Sequence, residues 1–205
     1  MIKNHLWVYI ILCLTVVSAV SNHAVSQTKI QFEISPLSTL ALSGKSTVNG
    51  FRCELKNNFC STKQLVTTEI TDDLLKLDGA ELEIVIKNFD CANERMNKDM
   101  QGALKAEEFP SMILKIMEIN YNGGIQEILK SRCATALAEI TLGGVSKCIV
   151  LNFSDIEFKD HRLSFTGNQE INMEEFDIEP PQVLLGLIKV HEMINIDFNL
   201  MVDLH

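Results

Sequence analysis

"MINIDFNLMVDL" (residues 193–204) places Ile194, Ile196, Phe198, Leu200, Val202 and Leu204 at every second position, with Asn195, Asp197, Asn199, Met201 and Asp203 between them. A period of two puts the first set on one face of an extended chain and the second on the other; helical spacing would scatter the apolar positions around an axis. The stretch therefore predicts a long strand with one buried and one wet face. Working back along the chain, "LSFTGNQEINM" (163–173) and "KCIVLNFSDIEF" (147–158) predict two more strands with "KDHR" between them, and Gly143–Gly144 predicts a tight turn. "AELEIVIKNF" (80–89) and "MILKIMEINY" (112–121) pattern similarly, the second followed by the turn signal "NGG" (122–124). "TKIQFEIS", "TLALSG", "STVNGFRCEL" and "QLVTTEI" supply shorter strands upstream. About eight or more strands joined by short turns, without a βαβ rhythm, imply antiparallel pairing in a sandwich or a closed up-and-down barrel.

Two stretches break this pattern. In "NFDCANERMNKDMQGALKAEEFPSM" (88–112), Met96, Met100 and Leu104 recur at i, i+4 and i+8, so one side of a short amphipathic helix is apolar. Asp90 or Asn93 can cap its start, and Pro110 ends it. In "PPQVLLGLIKV" (180–190) the prolines suit a turn or helix start, and residues 183–187 suggest one helical turn.

The first 26 residues read as a leader. Lys3 precedes the apolar run "LWVYIILCLTVV", and "SAVSNHAVS" follows, with small residues Ala24 and Ser26 before Gln27. A basic start, a hydrophobic stretch and small residues are the parts of a secretory signal, so cleavage before Gln27 and a single domain over 27–205 are expected. A net charge of −9 argues against nucleic acid and against charge-driven docking on anionic lipid, and no stable membrane insertion is expected of the mature chain. Of six cysteines, Cys13 lies in the leader and Cys53, Cys60, Cys91, Cys133 and Cys148 remain, an odd number. Export permits a disulfide; Cys53 and Cys60 are the nearest pair and the candidate bridge. The odd cysteine or an open sheet edge is a route to a homodimer.

Catalysis finds little support. His161 lies in a polar turn and His205 at the terminus, while His191 and Glu192 are adjacent and so point to opposite faces of a strand. No Ser/His/Asp or Cys/His set, C-x-x-C pair or Gly-rich phosphate loop can be assigned. Neither an enzyme nor a cofactor or metal is expected.

Four segments resemble the YceI-like family: "KNFDCANERMNKDMQGALKAEEFPSMILKI", "AEITLGGVSKCIVLNF", "FDIEPPQVLLGLIKVHEMINIDFNL" and "LSGKSTVNGFRCEL". Together they span nearly all of 27–205. The resemblance implies an all-β fold: an extended lipocalin-like antiparallel β-barrel of about eight strands, with the short helix and helical turn capping it. It also implies a periplasmic protein that holds a long apolar lipid, a polyisoprenoid or prenylated quinone, inside the barrel. Under that reading Leu82, Ile84, Ile86, Met112, Leu114, Ile116, Phe165, Ile196, Phe198 and Leu200 are the inward side chains that line the guest's site, roofed by Met96, Met100 and Leu104. The competing class is a structural or interaction β-protein whose interior is packed solid by the same residues and whose role lies on its acidic surface.

Overall fold

The computed structural model describes residues 26–56, 59, 63–71, 74–120, 125–183 and 187–205. All but the last residue of the expected leader, and the 122–124 turn, lie outside them. Period-two stretches become strands: β1 (Ser26–Ile34), β2 (Thr39–Ser46), β3 (Gly50–Leu55), β4 (Gln64–Ile70), β5 (Leu74–Asp78), β6 (Glu81–Val85) and β7 (Phe89–Asp90) in the first half. After helix α1 (Glu94–Ala103) come β8 (Ser111–Asn120), helix α2 (Ile125–Ser131), β9 (Ala134–Leu142), β10 (Val145–Lys159), β11 (Arg162–Asn172), β12 (Gln182–Val183) and β13 (Ile188–Leu204). Single 3-10 turns sit at Ile86–Asn88 and Met173–Phe176.

β1, β4, β5, β8, β9, β10, β11 and β13 pair in that order, all antiparallel, and β13 returns to β1 through Phe32 opposite Leu204 and Ile34 opposite Val202. The ring makes this a barrel rather than a sandwich. The long strand read from residues 193–204 is its keystone: β13 runs for 17 residues, more than one neighbour can cover. Its end pairs with β1, while Val190 to Asn199 pair with β2, which carries β3 and β7 away as a flap. Where β1 and β2 part, buried Ser35 and Ser38 fasten the bend to β13: the Ser35 amide donates to the Met201 carbonyl (2.8 Å), and the Met201 amide donates to Ser38 Oγ (2.9 Å). Burying two serines there is tolerated because their polar atoms are paired.

Of the expected helical turn over 183–187, residues 184–186 lie outside the described residues; on either side of them Gln182 pairs with Lys189 and Val183 with Ile188. β13 simply begins earlier than its alternation suggests. Neither β5 nor α2 was expected, since five and seven residues are too few for either period to stand out.

The Gly143–Gly144 turn is present, with φ of +57° and +83°. Positive φ at both positions matches the right-handed twist of the flanking strands and admits glycine readily. An added Cβ at Gly144 would also lie 2.5 Å from Cζ of Phe109, in the loop after α1. Gly144→Ala should therefore cost about 1–3 kcal/mol, read as a lower midpoint in urea with unchanged slope; an unaltered midpoint would refute the assignment.

The buried core is divided. One cluster includes Leu42, Ile84, Ile86, Met112, Ile140, Ile171, Met173 and Ile196; the other holds Ala136, Ala138, Leu151, Phe153 and Ile156 near α2. Leu114, Ile149, Phe165 and Phe198 pack against both clusters, and none is fully buried. These half-buried side chains form a seam between the two buried clusters.

Candidate functional site

α1 covers the barrel end where β2, β3 and the start of β13 meet. Asn93 caps it, its Oδ1 accepting from the amides of Arg95 (3.0 Å) and Met96 (3.1 Å). This satisfies two of the donors that a helix start leaves open. No residue within α1 is fully buried, so the helix lies on the barrel rather than in its core. Met96 and Met100 are half-buried on its inner side, and Leu104, one turn further, is buried.

Beneath that side is a cavity of about 330 Å³. Its walls are Met96, Met100, Ala103 and Leu104 above, Leu42, Phe51 and Cys53 on β2 and β3, and Met173, Ile188, Val190 and Ile194 opposite. Polar groups gather at the rim: Ser46, Asn49 and Asn93, with Arg95 and Asp99 the charged lining residues. Exposed Val48 marks where it opens to solvent. Such lining suits an apolar guest whose polar end stays at the mouth, and methionine adapts to irregular shapes. A second groove of about 710 Å³ lies beside α2, more open to solvent than the first, where Asn152, Ser154, Thr166 and Asn168 alternate with the apolar Ile128, Ala134 and Phe153. Among the described residues no group of three or more His, Cys, Asp or Glu converges as a metal site, and no helix is long and apolar enough to cross a membrane.

Of the residues singled out from sequence, Met96, Met100 and Leu104 come together at this cavity. Leu82, Ile84, Ile86, Met112, Ile196 and Leu200 are buried in the first cluster. Leu114, Phe165 and Phe198 stand at the seam, and half-buried Ile116 packs on the second cluster. Sequence reasoning missed the opposite wall, above all Leu42, Phe51, Val190 and Ile194. Their alternation is masked in β13 by Glu192, where the pairing with β2 changes register between Val190 and Ile194.

The expected Cys53–Cys60 bridge is corrected: Cys53 is bonded to Cys91, and Cys60 lies outside the described residues. The reason is register. β3 and β7 pair Glu54 with Asp90 and Leu55 with Phe89, which sets Cys53 opposite Cys91. The bridge ties the flap to the base of α1, and Cys91 Sγ lies 4.0 Å from Met100 Sδ. Cys133 and Cys148 are free and exposed.

Asp90 braces the same joint. Its Oδ1 accepts from the Asn97 side-chain amide (3.2 Å) and the Ala92 amide (2.9 Å), while Asn97 Oδ1 accepts from the Cys91 amide (2.7 Å). The Asn97 amide first, then the Ala92 amide, hold the Asp90 carboxyl below its ordinary value. A depressed carboxylate contributes stability that is present above its unfolded pKa, about 3.9, and lost as pH falls through the lower folded value. Protection of the Cys91 and Ala92 amides, taken relative to the unfolded chain's exchange rate at the same pH, should fall below about pH 4. Asp90→Asn, which keeps an acceptor but cannot titrate, should flatten that fall; equal loss of protection in both proteins would exclude the brace.

Comparison with known proteins matches this architecture. A family model, the YceI-like domain, covers residues 22–202. BcnA of Burkholderia cenocepacia superposes with a TM-score of 0.53 at 14% identity, over 80% of this chain and 95% of that one. A structure described as a polyisoprenoid binding domain from Saccharophagus degradans, implicated in plant cell wall breakdown, superposes with a TM-score of 0.55 at 12% identity, over 84% and 97%. At such identities the likeness is one of fold. No curated protein matches the chain. With a ring of eight strands, a methionine-sided helix over one end and a family match along nearly the whole described length, the chain belongs to the YceI-like domain family.

Proposed function

We propose that this protein is a non-enzymatic lipid-binding protein, exported to the periplasm, that holds the apolar chain of a polyisoprenoid or prenylated quinone with its head at the α1 mouth. The observation that carries this reading is the apolar cavity beneath Met96 and Met100, set above a core that is divided rather than continuous. The polyisoprenoid binding described for the Saccharophagus degradans domain supports the class of guest. Each buried methylene contributes about 0.8 kcal/mol, so a prenyl unit contributes about 4 kcal/mol before ordering costs. The cavity of about 330 Å³ is at the low end of the roughly 300–1,000 Å³ of ligand pockets. It accepts the first units of a long chain, and the remainder must run along the half-buried seam. A solid, structural interior would instead join the two clusters through fully buried side chains. A homodimer formed by strand pairing would need an edge outside the ring, because β1 and β13 close it.

Mass spectrometry of an organic extract from gently purified protein tests the proposal. A stoichiometric prenyl lipid is the expected result. Its repeated absence, together with failure of added prenols to bind, would overturn the reading.

A further inference from the structure

We infer that two cross-strand glycine–phenylalanine pairs, Gly167 with Phe198 and Gly44 with Phe51, keep the lumen open by holding each ring against the barrel wall, and that the first pair sets the longest chain accepted. The inference rests on the lipid-binding reading above.

Gly167 on β11 lies directly opposite Phe198 on β13, and on its other side opposite Phe153 on β10. Gly44 on β2 lies directly opposite Phe51 on β3 and Ile194 on β13. Neither glycine has a positive φ, so neither is required by the backbone. What each supplies is space. A Cβ at Gly44 would meet Cζ of Phe51 at 2.6 Å, and a Cβ at Gly167 would overlap Cζ, Cε1 and Cε2 of Phe198. The outer edge of each ring therefore rests on the bare backbone of the adjacent strand, leaning sideways along the wall rather than out into the lumen. Such pairing of an aromatic residue with a facing glycine covers the glycine and stiffens the sheet. Here it also decides where two bulky rings go in a barrel of this size, whose interior is just wide enough to be filled by side chains or to hold one ligand.

The two pairs stand at successive levels. Phe51 lines the cavity under α1. Phe198 stands deeper, at the seam, with ring centroids 6.1 Å from Phe153 and 6.4 Å from Phe165. A chain whose head stays at the α1 mouth meets the Phe198 level only after it has filled the cavity. Displacing that ring from Gly167 pushes it into the lumen and stops a long chain, while a short one never reaches it.

Displacement of Nile red by geraniol, farnesol, geranylgeraniol and solanesol tests this. The wild-type protein should bind the longer prenols more tightly. Gly167→Ala should leave the geraniol affinity within about twofold and weaken geranylgeraniol and solanesol by about tenfold or more, and adding Phe198→Leu to Gly167→Ala should restore them. Phe198→Ala alone, a variant that adds no bulk, should strengthen solanesol relative to geraniol. Uniform weakening of all four prenols in Gly167→Ala, or an unchanged length profile in both Gly167→Ala and Phe198→Ala, overturns the inference and leaves the lipid-binding reading standing. Failure of every prenol to displace the dye from the wild-type protein overturns both.

Discussion

Met100→Glu is expected to weaken Nile red and prenol binding at least tenfold while leaving the fold intact. Met100 is half-buried on the inner side of α1, lines the cavity, and touches the Cys91 sulfur. In the empty protein a carboxylate there keeps its water, because the cavity opens to solvent beside it. An apolar chain entering the cavity would strip that water, and no cation within the lining other than Arg95, at the rim, can compensate. Desolvating an unpaired charge costs several kcal/mol, and about 1.4 kcal/mol already corresponds to a factor of ten. Met100→Leu, apolar and of similar volume, should bind like the wild-type protein. Titration of the three proteins, with circular dichroism to check folding, decides the matter. Equal affinity in the glutamate variant would show that the guest does not lie beneath α1.

The second large effect concerns stability. Replacing both Cys53 and Cys91 with alanine opens a loop with a sequence separation of 38. Loop-closure entropy for that length is worth about 4 kcal/mol. For a chain of this size each kcal/mol shifts the melting midpoint by about 2–4 °C, so a fall of roughly 10 °C is expected. Binding should fall as well, since the bridge anchors α1 to the flap and both form cavity walls. The wild-type protein under strong reductant should approach the variant, and the variant itself should not respond. A melting midpoint within about 2 °C of the wild-type value would mean that β3 and β7 hold the joint without the bond.

The joint shows how a local motif and a distant pairing divide the determination of one site. The Asn93 cap, the spacing of Met96, Met100 and Leu104, and the Gly143–Gly144 turn are all legible in the chain, because each depends on residues within a turn or two of one another. Nearness along the chain pairs Cys53 with its neighbour Cys60. Its partner Cys91 is chosen by the register of two strands, which no local pattern encodes. Phe51 and Gly44 read separately as a strand residue and a small residue; only pairing shows that one ring lies over the other. The resemblance to a known family supplied the barrel, since alternation alone suits a sandwich equally well.

Alternation of side chains along an extended backbone is a geometric property of a few consecutive residues. By itself, therefore, the sequence determined that residues 193–204 make a strand, that most of the chain follows suit, and which side chains of that strand share a face. Tertiary structure alone decided that β13 divides its edge between β1 and β2, that the core is split by a half-buried seam, and that a cavity opens between α1 and the flap. Those outcomes depend on which strands become neighbours and in what register, and they are settled by packing energies summed over residues far apart in the chain.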